Sequence, residues 1–379
     1  MIELFTTSAF GRFLRRCARL ARRFGVTVVE DVGLKGCQQF VGYEVTAGAS
    51  SPPAGDLLFI GPSIITIPPS GWGAVETVLH EQIRHLSGTW NCTLLNARSV
   101  FLWIRAFRRK PDAIFVHYET FLRRAVLFKR IFSRDSFIFW TSHYGYLGHP
   151  DLWEIDFKRT FIRLSRLSRQ IDYFVALSPQ IKSAVGGVLE CRILQIPNGS
   201  NFSPATQRHP SGEVAVVGKV EIRKRQFEIA QLDFDSAVNF YGAIHDSRIS
   251  QEFLKKLTQP HVFHGEVDRK RLAISLPSNS VLLHLSLAEA DALVLYEAQL
   301  AGLAVVVTES SLGSQDRTLP WVYVMPDNWS FEEVKKAVDD ARIYVRDNRT
   351  RIIAHAEANY RWQHQLKPLV SELKRILAK

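Results

Sequence analysis

The chain has 379 residues, 46% of them hydrophobic and 22% charged, and a formal net charge of +11. At roughly 100–200 residues per domain this length predicts two domains, with cores large enough to need no disulfide or metal. The composition excludes disordered, collagenous and coiled-coil classes. The charge is uneven: residues 1–200 hold 25 Lys/Arg against 15 Asp/Glu, and the remainder holds 23 against 22. The basic surface therefore belongs to the N-terminal half and predicts an acidic partner: anionic lipid, nucleic acid or a phosphorylated substrate.

In chain order, Phe10, Phe13, Leu14, Cys17, Leu20 and Phe24 recur at helical spacing, with Arg12, Arg16, Arg19 and Arg23 opposite. They predict a basic amphipathic helix that either lies on an anionic membrane or packs on its own domain. Arg12, Arg15 and Arg16 fall where a signal peptide needs an apolar run. Residues 1–50 read as an extension. The uncharged stretch 57–75 is broken by Pro62, Pro68 and Pro69, so it cannot be a spanning helix. Cys17, Cys37, Cys92 and Cys191 are too scattered for a disulfide framework or a zinc site. The expected location is the cytoplasm, with possible peripheral attachment to the inner face of a membrane.

From Asp56, short apolar runs at 57–60, 64–67, 113–117, 137–140, 173–177 and 193–196 alternate with helical stretches such as 74–86. This pattern predicts a parallel α/β sheet. Residues 201–212 are polar, carry Pro204 and Pro210, and read as a linker. The alternation restarts with strands expected at 214–217, 239–241, 262–264, 281–285 and 304–307. A helix is expected at 332–345, followed by a helical tail over 351–377 broken near Pro368. The expected division is an extension at 1–50, α/β domains at 51–205 and 206–350, and a terminal helix at 351–379.

Ligands of open α/β sheets bind beyond the carboxyl ends of strands, so the loops there hold the candidate site residues. The loop containing Gly71, Trp72 and Gly73 precedes a helix whose N-terminus could face an anion, although two glycines taken alone more often mark a tight turn. His143 follows the run 137–140, and Pro197-Asn198-Gly199 follows 193–196. Gly218 and Lys219 open a basic run ending in Arg223, Lys224 and Arg225, suited to a diphosphate or simply a solvated face. Glu289 and Glu297 lie eight apart, flanking an apolar stretch that begins Ala290-Asp291-Ala292-Leu293. Carboxylates among apolar neighbours need strong hydrogen-bond donors such as sugar hydroxyls.

Taken in this order, the loops resemble the retaining GT-B glycosyltransferases of family 4, from about residue 56 to 313. The glycine-rich loop, the strand ending at His117, the later His143, the Pro-Asn-Gly turn, the basic pair after Gly218 and the E-x7-E spacing of Glu289 and Glu297 carry the resemblance. It implies two Rossmann-like domains facing each other across a cleft, and a terminal helix crossing back to the first domain. It also implies a nucleotide-diphospho-sugar co-substrate, no metal and no other cofactor. Glu297 would hold the ribose, and Gly218, Lys219 and Lys224 the diphosphate. Glu289 and the amides of Ala290, Asp291, Ala292 and Leu293 would hold the sugar. His143, Gly71, Gly73 and Asn198 would approach from the N-terminal half, with His143 and Glu289 as the catalytic pair.

The chain departs from the family pattern with Lys219 for arginine, Arg225 for the glycine after the lysine, and Ala290-Asp291-Ala292 for Gly-Phe-Gly. Asp233-Phe-Asp235 has a metal-binding spacing but reads as surface, away from any strand's carboxyl end. The expected acceptor is an anionic or lipid-linked glycan bound by the basic half. The alternatives are a modified DNA base as acceptor, and a scaffold that binds a nucleotide sugar without catalysis.

Overall fold

The computed structural model describes residues 37–39, 43–45, 53–69, 73–152, 155–204, 211–244, 247–257 and 259–378. Gly71 and the helix expected over residues 10–24 lie outside them.

The first sheet comprises β1 (Cys37–Gln39), β2 (Tyr43–Val45), β3 (Asp56–Ile60), β4 (Asn91–Leu95), β5 (Ala113–His117), β6 (Phe137–Thr141), β7 (Tyr173–Ala176) and β8 (Arg192–Gln195). Its order is β1-β2-β4-β3-β5-β6-β7-β8. The first two strands are antiparallel, β1 to β2 and β2 to β4, and the rest of the sheet is parallel. The second sheet comprises β9 (Val214–Val217), β10 (Val238–Tyr241), β11 (Val262–Gly265), β12 (Val281–His284), β13 (Ala304–Thr308) and β14 (Val322–Met325). It is parallel throughout, ordered β11-β10-β9-β12-β13-β14. That is the Rossmann order, whose ligand crevice lies where the winding reverses, between β9 and β12.

The apolar runs become central strands because helices cover both faces of each sheet. On one face of the first sheet, Trp103, Phe107, Phe128 and Phe161 pack from the following helices. On the other, Val78, Leu79 and Ile83 come from helix Ala74–Leu86. The second sheet has its own core, shared with Val334, Val338, Ala341 and Val345 of helix Phe331–Asn359. That helix begins with a reciprocal cap: Ser330 Oγ accepts from Glu333 N (3.3 Å) and Glu333 Oε2 accepts from Ser330 N (2.8 Å).

Three local readings change. Residues 64–67 form no strand; they lie between Pro62 and Pro68, and Ser63 has a left-handed φ of 57°. Strand β4 takes the second place instead, and its polar start, Asn91, hid it from an apolar-run search. The helix Phe331–Asn359 is continuous across 346–350, and the break falls at Tyr360 and Arg361. Pro368 sits in the first turn of the last helix, Lys367–Leu377, where its missing N–H costs nothing.

That last helix and the helical turn before it pack on the first domain: Trp362 and Leu366 of the turn, and Leu369 and Leu373 of the helix, enter the same core as Phe59 and Phe115. Tyr173 Oη donates to Glu372 Oε1 at 2.5 Å, and Arg375 Nη2 lies 2.6 Å from the same oxygen. The Arg375 and Tyr173 hydrogen bonds hold the Glu372 carboxyl down at about 2. A depressed carboxylate stabilises the fold above its ordinary range, and that stability is lost as pH falls towards 2. The urea midpoint of wild type should therefore decline over this acid window more steeply than that of Glu372→Gln. Parallel curves would remove the carboxylate from the docking of this helix.

The outward crossing between domains (residues 198–202) and the return crossing (360–362) are bonded to each other. Ser200 N donates to Tyr360 O (2.9 Å), and Arg361 Nη1 donates to Phe202 O (2.7 Å). Among the described residues, no helix is long and apolar enough to cross a membrane.

Candidate active site

The loops at the carboxyl ends of both sheets meet across one cleft of about 490 Å³. Gly73, Glu76, Tyr118, His143 and Asn198 line it from the first domain. From the second come Gly218, Lys219 and Lys224 after β9, and Glu289, Ala290, Asp291, Ala292, Leu293 and Glu297 after β12. Every described candidate residue is on this one surface. The sequence places them up to 224 positions apart, from Gly73 to Glu297, and the two parallel sheets bring them together.

Glu289 is the electrostatic centre. Its Oε1 lies 3.0 Å from Lys224 Nζ, 3.1 Å from Arg223 Nη1 and 3.4 Å from His284 Nε2, and it accepts from Ser286 Oγ at 3.0 Å. Burial opposes its charge, but Lys224, the His284 contact and Arg223 outweigh burial and hold the carboxyl well below its usual range. Glu289 is therefore a carboxylate at every physiological pH. His284, at the end of β12, is buried and held neutral mainly by that burial.

The basic loop is positioned by two backbone features. Gly218 has φ 142°, and a Cβ there would meet Lys224 Nζ at 3.1 Å, so the missing side chain admits the ammonium. Arg225 has φ 54°, the left-handed conformation that glycine adopts freely. The departure from glycine at this position is thus a side chain held in glycine's conformation. Its guanidinium compensates by donating to Asp327 O at 2.5 Å. Arg225→Ala keeps the backbone strain and loses the bond, whereas Arg225→Gly relieves the strain. Alanine should be the less stable variant by about 1 kcal/mol in urea unfolding, the reverse of the usual order.

Arg223 was part of the basic run, and the structure gives it a separate role. It donates to Ala288 O and pairs with Glu221 (2.7 Å), so it braces the acidic loop against the basic one. Arg269 was missed entirely. It opens helix Arg269–Ser275 after β11, and its Nη2 sits 2.8 Å from Glu297 Oε1. Burial raises the Glu297 carboxyl, and Arg269 works against that rise. The rule that leads to strand ends would have found Arg269, because β11 ends at Gly265.

Asp291 faces the domain junction. Its carboxylate accepts from Asn198 N (2.7 Å), Ser314 N (3.1 Å) and Tyr296 Oη (2.7 Å), and Asn198 Nδ2 donates to Asp291 O (2.7 Å). Burial pushes this carboxyl up to about 7 against those donors. Asn198 and Asp291 thus clamp the two domains together beside the cleft.

On the first domain's wall, His143 Nε2 lies 3.0 Å from Nδ1 of the buried His117. Burial pushes His143 down to about 4 and, with His143 beside it, holds His117 well below the usual imidazole range, so both rings are neutral. His117 Nε2 is buried with no partner among the described residues. A bare lone pair is cheaper to orphan than an N–H. We therefore assign the proton of His117 to Nδ1, donating to His143 Nε2, which leaves His143 with Nδ1–H as a donor. Burial also raises the carboxyl of Glu76 on this wall and that of Glu119, next in sequence to Tyr118.

Helix Leu293–Leu300 starts at the cleft with no side-chain cap, so its first N–H groups are available to an anion or a hydroxyl. Among the described residues, no group of three His, Cys, Asp or Glu is placed to hold a metal ion. Asp235 of the D-x-D sequence is exposed and pairs with Lys335 (2.5 Å) on the surface.

No protein-family model and no curated protein matches the sequence. Solved structures do match in shape. Sucrose-phosphate synthase from Thermosynechococcus elongatus superposes with TM-score 0.67 at 14% identity, over 85% of this chain and 99% of that one. HepE from Anabaena, solved with UDP-glucose, gives 0.61 at 14% identity, over 84% and 99%. AviGT4, a glycosyltransferase of avilamycin A biosynthesis, gives 0.57 at 16% identity, over 86% and 98%. With its two facing Rossmann-like domains, this chain has the GT-B fold.

Proposed function

We propose that this chain is a glycosyltransferase that moves a sugar from a nucleotide-diphospho-sugar to an acceptor hydroxyl, with retention of configuration and without a metal. The observation that carries the reading is Glu289: a carboxylate kept ionised inside the cleft by Lys224 and Arg223, beside the open N-terminus of helix Leu293–Leu300.

In this reading Lys219 and Lys224 bind the diphosphate and stabilise the charge that develops as it leaves. The first N–H groups of the helix, near Ala292 and Leu293, add partial positive charge. Glu289 accepts hydrogen bonds from donor-sugar hydroxyls. Glu297, oriented by Arg269, accepts them from the ribose. His143 donates through Nδ1 from the opposite wall. The acceptor approaches along the first domain, whose charge favours an anionic or lipid-linked glycan.

Calorimetry with UDP-, GDP-, ADP- and CMP-sugars, without added metal, tests the donor half. UDP-sugars lead the series because HepE was solved with one. One donor should bind wild type and bind Glu297→Ala at least about tenfold more weakly, given one or two lost charge-assisted hydrogen bonds. Binding without transfer or hydrolysis of any donor, across a panel of acceptors, would leave only the scaffold reading.

A further inference from the structure

We infer that the helical layer on one face of the first sheet is a docking surface for an anionic lipid bilayer. Helices Val100–Arg108, Leu122–Phe132 and Ile155–Ser165 all cover that face, and their inner side chains share one core. The first two pack directly: Trp103 and Phe107 each meet Phe128 at 5.4 Å, and Arg124 Nη1 donates to Arg98 O at 3.1 Å.

The outer side of the layer is both basic and apolar. Residues 98–134 hold ten Lys/Arg and two Asp/Glu. On helix Leu122–Phe132 the exposed residues are Arg123, Leu127, Arg130 and Ile131, with Arg134 just beyond. Their spacing of four, seven, eight and eleven puts them on one stripe. On the neighbouring helix, Phe101, Arg105 and Arg108 form a second stripe by the same spacing. Phe101 is 50% exposed, Leu127 54% and Ile131 46%, and Ile162 of the third helix is 45% exposed.

Single exposed apolar residues are ordinary, but here they alternate with arginines along adjacent helices. Charge complementarity selects an anionic partner. The apolar side chains between the arginines select a lipid interface over a nucleic-acid backbone, because they gain by entering the acyl boundary while the guanidinium groups meet phosphate. The layer also reaches the cleft, since Tyr118, which lines it, lies just before helix Leu122–Phe132. That a docked enzyme would meet a lipid-held acceptor rests on the glycosyltransferase reading; the docking itself does not.

The test is sedimentation of the full chain with vesicles of phosphatidylcholine, with or without one third phosphatidylglycerol. Wild type should partition onto the anionic vesicles only. The triple variant Arg108→Glu, Arg123→Glu, Arg130→Glu should partition about a hundredfold more weakly. Phe101→Ser with Leu127→Ser and Ile131→Ser should lose about tenfold, and this loss should persist at high salt. Both variants change exposed side chains only, so unchanged melting temperatures would show that they fold. No binding by wild type, or wild-type partition by the charge variant, would overturn the proposal. So would an unaffected apolar variant together with full competition by duplex DNA, which would mark a polyanion surface. Loss of nucleotide-sugar binding with vesicle binding intact would overturn the transferase reading and leave the docking surface standing.

Discussion

Gly242→Ala should lower the stability of the second domain by about 3 kcal/mol or more, the upper range for overpacking a core. Gly242 follows β10 directly, and a Cβ there would lie 1.9 Å from Gly218 O and 2.5 Å from Gly218 C. The obstacle is backbone, so no rotamer change relieves it. Movement is barred as well: Gly218 N donates to Tyr241 O, and Gly242 N donates to Gly265 O, both at 2.8 Å. The alanine must part β9 from β10 or push the Gly218 turn into the cleft. Urea unfolding should show a large fall in midpoint, and any folded fraction should bind nucleotide sugars poorly because Lys219 and Lys224 move with that turn. A midpoint within experimental error of wild type would mean that the two strand ends are further apart than the structure places them.

Lys224→Ala should reduce kcat/KM by about a hundred- to a thousandfold, the usual range for removing one preorganised charge from a developing anion. Lys224 has two tasks under the proposed function: it neutralises Glu289 and it meets the leaving diphosphate. Its loss leaves Glu289 with Arg223, His284 and the Ser286 hydroxyl, so the carboxyl must rise from its depressed position. The acidic limb of the pH–rate profile should therefore move towards neutral pH in Lys224→Ala, in addition to the fall in rate. Lys224→Arg keeps the charge but must fit a wider head against the Gly218 face, and should retain activity within about tenfold. A rate loss without displacement of the acidic limb would separate the two tasks and leave only phosphate binding to Lys224.

The legible part of this molecule was its alternation. Runs such as 113–117 and 281–285 announce buried parallel strands because such strands carry apolar side chains on both faces. Residues 64–67 mimicked a strand because hydropathy does not register Ser63 turning left-handed between prolines. Residues adjacent to strand ends in sequence, such as His143, Lys224 and Glu289, could be found from position alone. Arg269 and Arg223 could not be assigned their partners, because their bonds to Glu297 and Ala288 join segments 28 and 65 residues apart. Likewise the sequence showed Asp291 in the loop after β12, but only packing shows its carboxylate turned to Asn198 on the other domain. Side-chain direction depends on which neighbours supply donors, and those neighbours come from tertiary structure.

The paired crossings between the domains have a mechanical consequence. Two chain segments, bonded through Ser200 to Tyr360 and through Arg361 to Phe202, act as a two-pin hinge. A single tether would let one domain swivel about the other, whereas two pins leave rotation about the line that joins them. Once the Asn198–Asp291 bonds are broken, the walls bearing His143 and Glu289 would part without sliding past each other. Walls kept face to face in this way would leave little orientational entropy to be lost on closing over a ligand.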